Sequence, residues 1–331
     1  MKYQAFSSIV GNIMIAVAAF SLATAGEPRT TRDPAAGGGV WQGAPVHWTA
    51  HPANPVLSPG PPGAWDEHIR ERMWVIHDDG RFLAWYGGWK GNYDKKTPNL
   101  VHLGFATSED GIRWTKHPKN PVFDQRWVED VCVVKLRDTY YLYGEDETEN
   151  KTAIHLLTST DGVQWTARGN VLQKTAGSDW EGGWVGTPLV WRELNPWYML
   201  YEGGPPGDVG LATSADGVHW QKSLNNPVLR RAAKGTWDDN VVGPSSILKR
   251  NGRYYLFYIG GGPQFRDGLA TSNDFVHWTR YPGNPLVSDM SAVFVATPNK
   301  CLLYCRQNPS RSATTLYVAP ASRWIRRPSS G

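Results

Sequence analysis

The sequence has little cysteine, little excess charge of either sign and no long apolar run beyond its first residues. Only 3 cysteines occur in 331 residues, which is too few for a disulfide framework. Lys and Arg number 34 and Asp and Glu number 30, a net charge of +4, and so small and dispersed an excess argues against a nucleic-acid partner. Beyond residue 25 no segment approaches the ~20 apolar residues of a membrane-spanning helix. We expect no span in the mature chain, and the sequence leaves its oligomeric state open.

The spacing of the cysteines also argues against a disulfide. Cys301 and Cys305 lie four residues apart in a segment that has the pattern of a strand. At ~3.3 Å per residue their Cα atoms would be ~13 Å apart, beyond the reach of a disulfide. Cys132 lies within an apolar run. We therefore expect three reduced thiols in the core.

Residues 1–25 have the pattern of a secretory signal peptide. Lys2 provides a positive start, an apolar run follows from Ile9 to Ala19, and Ala23-Thr24-Ala25 is a small-x-small cleavage site. The alternative, an uncleaved anchor, would need a longer run. We expect a secreted protein, periplasmic or extracellular, with a flexible segment at 26–43 and a single domain at 44–331.

Two motifs recur along the domain. Thr-Ser-x-Asp-Gly-x-x-Trp occupies 107–114, 158–165 and 213–220, and a fourth copy at 271–278 has Phe275 in place of Gly. The second motif is an Asn-Pro pair, which follows three of these copies at Asn120, Asn226 and Asn284. A further pair at Asn54 comes before the first copy, and Asn170 is a version without Pro. Such regular repeats indicate a repeat architecture.

Each interval between Asn-Pro marks holds the same four predicted strands, one of them rich in aromatic residues. Four antiparallel strands per repeat are typical of a propeller blade, so the sequence predicts an all-β fold, a single five-bladed β-propeller. The N-terminal strand Ala44–Trp48 is expected to complete blade five, with Ser322–Arg326 as its rival. Ring closure thus requires the two ends of the domain to meet.

Two repeated residue types have a structural interpretation. The carboxylates of the Asp-Gly turns hold local backbone amides, at Asp110, Asp161, Asp216 and Asp274. The tryptophans of the fourth strands pack within blades, at Trp48, Trp114, Trp165, Trp220 and Trp278. We place the Asp-Gly turns on the bottom face of the propeller, away from the expected site.

The repeats resemble the five-bladed propellers of the arabinanase, levansucrase and invertase superfamily, which includes glycoside hydrolase families 43, 32, 117 and 130. The resemblance covers nearly the whole mature chain. It implies a base or nucleophile at the start of blade one, an acidic residue in blade two that tunes acidity, and a Glu acid in blade three. Asp130 matches the blade-two position, and Asp66, with Glu71 as its rival, is our choice in blade one.

Blade three departs from the superfamily pattern, because Gly186 stands where the acid is expected. Glu181 is the only acid just ahead of that strand, and we take it as the catalytic candidate. We expect Asp66, Asp130 and Glu181 to converge at the top mouth of the channel, where glycosidases place paired carboxyls around a sugar.

Further acidic and aromatic residues cluster in the loops expected on the top face. Tryptophan faces stack on sugar rings and carboxylates bind sugar hydroxyls, so we predict a carbohydrate substrate. The candidate substrate-binding residues are Trp65, Glu67, His68, Glu71, Trp127, Glu129, Trp180, Glu202, Trp237 and Asp238. No His/Cys/Asp spacing resembles a zinc site, and we predict neither a metal nor an organic cofactor.

The function predicted is that of a secreted glycoside hydrolase acting on an oligo- or polysaccharide. One alternative is a family-130-like phosphorylase, which needs a cationic phosphate pocket for which Arg70, Arg72 and Arg126 are candidates. Secretion argues against it, since free phosphate is scarce outside cells. The other alternative is a non-catalytic glycan-binding propeller, which Gly186 favours.

Overall fold

The computed structural model describes residues 39–41, 46–98, 100–148, 152–193, 195–205, 207–262, 264–307, 313–319 and 324–326. Two strands come first, β1 (Gly39–Trp41) and β2 (Thr49–Ala50). The next sixteen form four blades of four strands. Blade one comprises β3 (His68–Asp78), β4 (Arg81–Trp89), β5 (His102–Ser108) and β6 (Thr115–Lys116). Blade two comprises β7 (Glu129–Leu136), β8 (Thr139–Asp146), β9 (Ala153–Ser159) and β10 (Thr166–Gln173).

The remaining strands follow the same order. Blade three comprises β11 (Trp184–Arg192), β12 (Trp197–Gly204), β13 (Asp208–Ser214) and β14 (Trp220–Lys222). Blade four comprises β15 (Val241–Arg250), β16 (Arg253–Gly261), β17 (Phe265–Ser272) and β18 (Thr279–Arg280). Three more strands, β19 (Met290–Ala296), β20 (Cys301–Arg306) and β21 (Thr314–Val318), precede β22 (Trp324–Arg326). The predicted all-β, five-bladed propeller is confirmed, and the described residues contain no α-helix.

The N-terminal strand closes blade five. In β2, Thr49 and Ala50 pair with Val318 and Tyr317 of β21, so the fifth sheet has the order β19-β20-β21-β2. The strand begins one residue after the predicted Ala44–Trp48, of which 44–45 lie outside the described residues. Trp48 packs with its ring centroid 6.1 Å from that of Phe294, in the cluster that contains Leu303.

The rival segment lies elsewhere. Trp324–Arg326 pairs with Gly39–Trp41 in a separate two-stranded sheet, so its assignment to blade five is wrong. The predicted signal peptide lies outside the described residues. Within the part of the chain that is described, no helix has the length and apolar character to cross a membrane.

The Asp-Gly turns are held as expected. The Oδ1 of Asp110 accepts hydrogen bonds from the amides of Ile112 and Arg113, both at 2.8 Å. Asp161, Asp216 and Asp274 repeat this pattern. Backbone and side-chain hydrogen bonds from His219 hold the pKa of Asp216 well below its usual range. These carboxylates are turn-forming groups.

Three of these turns are also bound by an aromatic side chain from the preceding blade. Tyr304 Oη, Trp85 Nε1 and Tyr143 Oη donate to the carbonyls of Gly111, Gly162 and Gly217, at 2.8, 2.8 and 2.7 Å. Each glycine has a positive φ of 74–77°, and a Cβ on it would lie 2.7–3.0 Å from the aromatic side chain. Glycine is therefore required twice over, by backbone conformation and by the neighbouring blade.

Blade four explains the exception at Phe275. The residue of blade three at the same register position as Trp85 and Tyr143 is Leu200, which leaves the space above the turn open. Phe275 fills it and stacks on Tyr198 with ring centroids 4.3 Å apart. Its φ of 65° is costly for a residue with a Cβ, and its complete burial offsets that cost.

The three cysteines are free and buried, as expected. Burial raises the pKa of Cys132 and of Cys301 to about 12 each. Because the thiolate is the reactive form, we predict that a thiol reagent at neutral pH modifies none of them in the folded protein and all three in urea. Fewer than three thiols after unfolding without reductant would show a disulfide and contradict the placement of these strands.

Candidate functional site

Three of the predicted acidic residues form one repeated structural contact. The carboxylates of Asp66, Glu181 and Asp238 are buried and lie just ahead of the first strands of blades one, three and four. Each accepts a hydrogen bond from a second-strand tyrosine, Tyr86 at 3.2 Å, Tyr201 at 2.9 Å and Tyr258 at 3.0 Å. Each also pairs with a fourth-strand cation, Lys116 at 2.6 Å, Lys222 at 2.6 Å and Arg280 at 2.8 Å. The contact joins the inner to the outer part of a blade.

The tryptophans beside these acids take part in the same contact. Trp65, Trp180 and Trp237 each pack on the tyrosine of their blade, with ring centroids 5.5–5.8 Å apart. A Cβ on the glycine beneath each indole, Gly104, Gly210 and Gly268, would lie 2.5–2.7 Å from it. These side chains support the blade.

The predicted convergence of Asp66, Asp130 and Glu181 is therefore not what the structure shows. Asp66 and Glu181 are turned toward the outer strands, where the lysines neutralise them, and only Asp130 lines the channel cavity. The sequence carries the signal for this. A Lys or Arg stands two residues after the fourth-strand Trp in blades one, three and four, whereas blade two has Ala167 there and no such acid.

We predict that Lys222→Met lowers the free energy of unfolding without changing turnover. It leaves the Glu181 carboxylate, 1% exposed, without its cation. Because Lys222 is itself one-fifth exposed, the expected loss is about 1–3 kcal/mol, measured by urea denaturation.

The same ion pair makes the stability depend on pH. Burial opposes ionisation of Glu181, but the hydrogen bonds from Lys222, Thr175 and Tyr201 hold the pKa of Glu181 below its usual value. The stabilisation that this ion pair contributes is thus present above the usual pKa of a glutamate, and it is lost as the pH falls through the lower pKa of the folded state. Unchanged stability would contradict this assignment.

The other predicted binding residues are dispersed. Glu67 accepts a 3.4 Å hydrogen bond from Gly91, His68 packs against Trp89 with centroids 5.0 Å apart, and Trp127 is fully buried. None of the three lines the channel cavity. The side chain of Glu71 lies outside the described part of the structure, and its role stays a prediction.

A cavity of about 620 Å³ lies where the first strands begin and the second strands end, a size ordinary for small-molecule sites. Its acidic lining residues are Asp130, Glu145, Glu147 and Glu202. Its basic lining residues are Arg70, Arg231 and Arg306. Apolar surface comes from Trp184, Val241, Ile259, Phe265 and Met290. Charges of both signs beside apolar surface suit a sugar together with an anion.

Asp130 faces this cavity from an unusual backbone conformation. Its φ is +47° at the bulge of β7, and Thr187 and Ser291 have φ of 49° and 58° in the corresponding part of β11 and β19. Left-handed backbone is uncommon in residues with a Cβ and concentrates at functional sites. Of these three residues, Asp130 and Thr187 line the cavity.

Arg72 holds these strands together from below. It is 1% exposed, and among the described residues the hydrogen-bond acceptors of its guanidinium are all carbonyl oxygens, those of Val131, Pro244, Ser245, Asp130 and Pro188. The bond to Asp130 O is 2.8 Å long. One side chain of blade one thereby ties the first strands of blades two, three and four, and its assignment to a phosphate pocket is wrong.

Arg70, which lines the cavity, contacts two carboxylates. Its Nε lies 2.6 Å from Glu129, which is 1% exposed, and its guanidinium 3.6 Å from Glu147. Lys95 lies 2.8 Å from Glu147. Carboxylate oxygens of Glu129, Glu145 and Glu147 all lie within 4.8 Å of one another. Burial, and then the charges of Glu147, Asp130 and Glu129, raise the pKa of Glu145 well above its usual value.

The remaining cations lie as follows. Arg126 pairs with Asp146 at 3.0 Å and does not line the cavity, unlike Arg70, while Arg231 pairs with Asp208 at 3.3 Å. Sequence reasoning missed Glu145, Glu147, Arg231 and Arg306 as members of one site. The only available signal was the Glu145-Asp146 pair, because the other three lie in loops or blades that meet only when the ring closes.

Comparison with known proteins gives a consistent result. The family model described as β-1,4-mannooligosaccharide phosphorylase, glycoside hydrolase family 130, matches residues 76–247. The 1,2-β-oligomannan phosphorylase of Thermoanaerobacter is 26% identical over 215 residues, 62% of this chain and 68% of that protein.

Two solved structures show the same fold. The β-1,2-mannobiose phosphorylase of Listeria innocua, in complex with β-1,2-mannobiose, aligns with a TM-score of 0.63 at 16% identity, covering 83% of this chain and 97% of that one. A structure reported with family-130 hydrolases that target β-1,2 mannosidic linkages in Candida mannan aligns with a TM-score of 0.68 at 17% identity, covering 87% and 97%. With the family match spanning more than half of the sequence, the chain belongs to glycoside hydrolase family 130, whose members are glycoside-processing enzymes.

Proposed function

We propose that the protein is a phosphorylase of β-mannosidic oligosaccharides. The observation that carries this proposal is the cavity in which Asp130 shares the lining with Arg70, Arg231 and Arg306. Guanidinium groups bind phosphate through paired N–H donors. The phosphorylases among the relatives support the choice of phosphate over water and of mannoside over other sugars.

In this mechanism Asp130 acts as the general acid. Its proton passes, directly or through the bound sugar, to the glycosidic oxygen as the bond from that oxygen to the anomeric carbon breaks. An oxygen of hydrogen phosphate forms the new bond to the anomeric carbon. The proton of the phosphate restores Asp130, so the products are mannose 1-phosphate and the remaining saccharide with a free hydroxyl group at the former linkage.

The arginines serve to place the nucleophile. Holding phosphate beside the anomeric carbon converts an encounter in solution into a step within one complex. The positive charges also offset repulsion between phosphate and the carboxylates. Arg70 suits this task because its guanidinium lies 4.1 Å from the ring centroid of Tyr93, which fixes its plane.

Hydrolysis is the second candidate, and the four acidic residues of the cavity favour it. An inverting hydrolase needs one carboxyl as acid and a second to activate water. Asp130 and Glu202 both line the cavity, and Glu202 is fixed by a 3.1 Å hydrogen bond from Thr187 Oγ1.

One assay decides between the two. The mature protein is incubated with β-1,2- and β-1,4-mannobiose, with and without inorganic phosphate, and the products are separated. Mannose 1-phosphate formed only with phosphate supports the proposal. Free mannose formed at the same rate in both conditions contradicts it and supports hydrolysis.

We also propose export of the protein, on the pattern of residues 1–25. Amino-terminal sequencing of the protein from fractionated cells tests it, with cleavage after Ala25 as the expected result. An intact amino terminus in the cytoplasmic fraction contradicts export. An exported phosphorylase would depend on phosphate supplied in its own compartment.

A further inference from the structure

Gly186 lies where blade three would otherwise direct a side chain into the cavity. It pairs with Glu202 across the sheet, at the register position that Glu129 occupies in blade two. A Cβ at Gly186 would lie 2.0 Å from Glu145 Oε2 and 2.5 Å from Oε1. The space of the missing side chain therefore holds the carboxyl group of Glu145, from the end of β8.

The carboxyl group is fixed in that place. Its Oε2 accepts a 2.8 Å hydrogen bond from the amide of Thr187, and the residue is 2% exposed. Thr187 presents this amide from a left-handed φ of 49°, which is an outlier for a β-branched residue. A strained backbone that orients an amide toward one carboxyl indicates a positioned group.

The same arrangement recurs one blade further on. A Cβ at Gly243, in the first strand of blade four, would lie 2.6 Å from Glu202 Oε2. Glu202 comes from the second strand of blade three and also contacts Thr187. Twice, a glycine in one blade makes room for a carboxyl group from the blade before it.

We propose that Glu145 supplies the carboxyl group that blade three lacks at Gly186 and that it binds the sugar in the cavity as a hydrogen-bond donor. The inference rests on the proposed function only in that the cavity holds a mannoside. With Oε2 occupied by the Thr187 amide, Oε1 is the oxygen that donates to a sugar hydroxyl.

The charges around Glu145 agree with a donor role. Glu147, Asp130 and Glu129 are acidic neighbours, and Arg70 is engaged by Glu129 and Glu147. Burial together with these charges favours the neutral carboxyl. A neutral group here also avoids repelling phosphate.

The test measures binding of β-1,2- and β-1,4-mannobiose, and of inorganic phosphate, by titration calorimetry. Glu145→Gln keeps a donor and should bind mannobiose within about 3-fold of the wild type. Glu145→Met fills the same space without a donor and should weaken mannobiose binding about 10-fold, the worth of one hydrogen bond. Phosphate affinity should stay within about 3-fold in both variants. Equal mannobiose affinity in wild type and Glu145→Met would overturn the proposal.

Gly186→Ala provides an independent test that leaves Glu145 in the chain. The added Cβ must displace the carboxyl group, so mannobiose binding should weaken about 10-fold. In a Glu145→Ala background, whose short side chain leaves the space at Gly186 open, the same change should cost little further, because the interaction is already lost. A full additional loss in that background would show that Gly186 acts through something other than Glu145, and the proposal would fail.

The two proposals fail in different ways. Mannobiose binding that depends on Glu145, without phosphorolysis, contradicts the phosphorylase and supports the role of Glu145. Phosphorolysis with unchanged mannobiose affinity in Glu145→Met does the opposite.

Discussion

Asp130→Asn is expected to lower kcat of phosphorolysis at least ~100-fold, because an amide cannot transfer the proton that general acid catalysis requires. Asparagine tolerates left-handed backbone as well as aspartate does, so the φ of +47° and the bond from Arg72 to the backbone carbonyl are retained. The melting temperature should hardly change. Initial rates with mannobiose and phosphate, alongside a thermal melt, measure both effects.

The chain provides a matched control in Asp79→Asn. Asp79 has the same φ of +47° but stands exposed in the turn between β3 and β4. The same chemical change in the same backbone conformation should leave kcat intact. If Asp130→Asn retains full activity, or if both variants lose activity alike, Asp130 is not the acid.

Arg72→Met is expected to lower the free energy of unfolding by about 3–5 kcal/mol. It leaves the carbonyl acceptors of three blades buried without their donor, and each unsatisfied group costs about 1–3 kcal/mol before relaxation. Arg72→Lys keeps the charge but has fewer donors, so an intermediate loss is expected. Urea denaturation, followed by tryptophan fluorescence, measures these losses.

Arg253→Met serves as the comparison, since Arg253 lies exposed at the start of β16. It should change stability by less than about 0.5 kcal/mol. Arg72→Met as stable as Arg253→Met would show that the carbonyl cluster does not hold the first strands together.

The fold was predictable because each repeat carries its own local signals. The Asp-Gly turn, the Asn-Pro mark and the aromatic strand are satisfied within one blade, as Asn120 shows by bonding both the amide and the carbonyl of Phe105. Closure of blade five by the N-terminal segment was predictable because the last repeat lacks a fourth strand. The start of that strand at Thr49 was not predictable, because it depends on pairing with β21.

The site was less predictable because its members come from different blades. Asp130 was identified from a resemblance in its own strand. The carboxyl group of Glu145 lies where Gly186 leaves space, a relation across a blade boundary that no local pattern reveals. Asp66 and Glu181 had the sequence pattern of catalytic acids because each lies just ahead of a first strand. The lysines that pair with them, in the fourth strands of the same blades, were the signal that both acids are structural.

Because of the aromatic contacts on the Asp-Gly turns, the blades are not interchangeable in protein engineering. In blade four the turn carries Phe275 and faces Leu200 of blade three. In blades one, two and three the turn carries glycine and faces Tyr304, Trp85 or Tyr143 of the preceding blade. A graft that moved blade four behind blade one would drive a phenylalanine into the indole of Trp85. A blade can therefore be exchanged only together with the residue of the neighbouring blade that contacts its turn. A duplication that copied one blade alone would need a compensating substitution in the next blade.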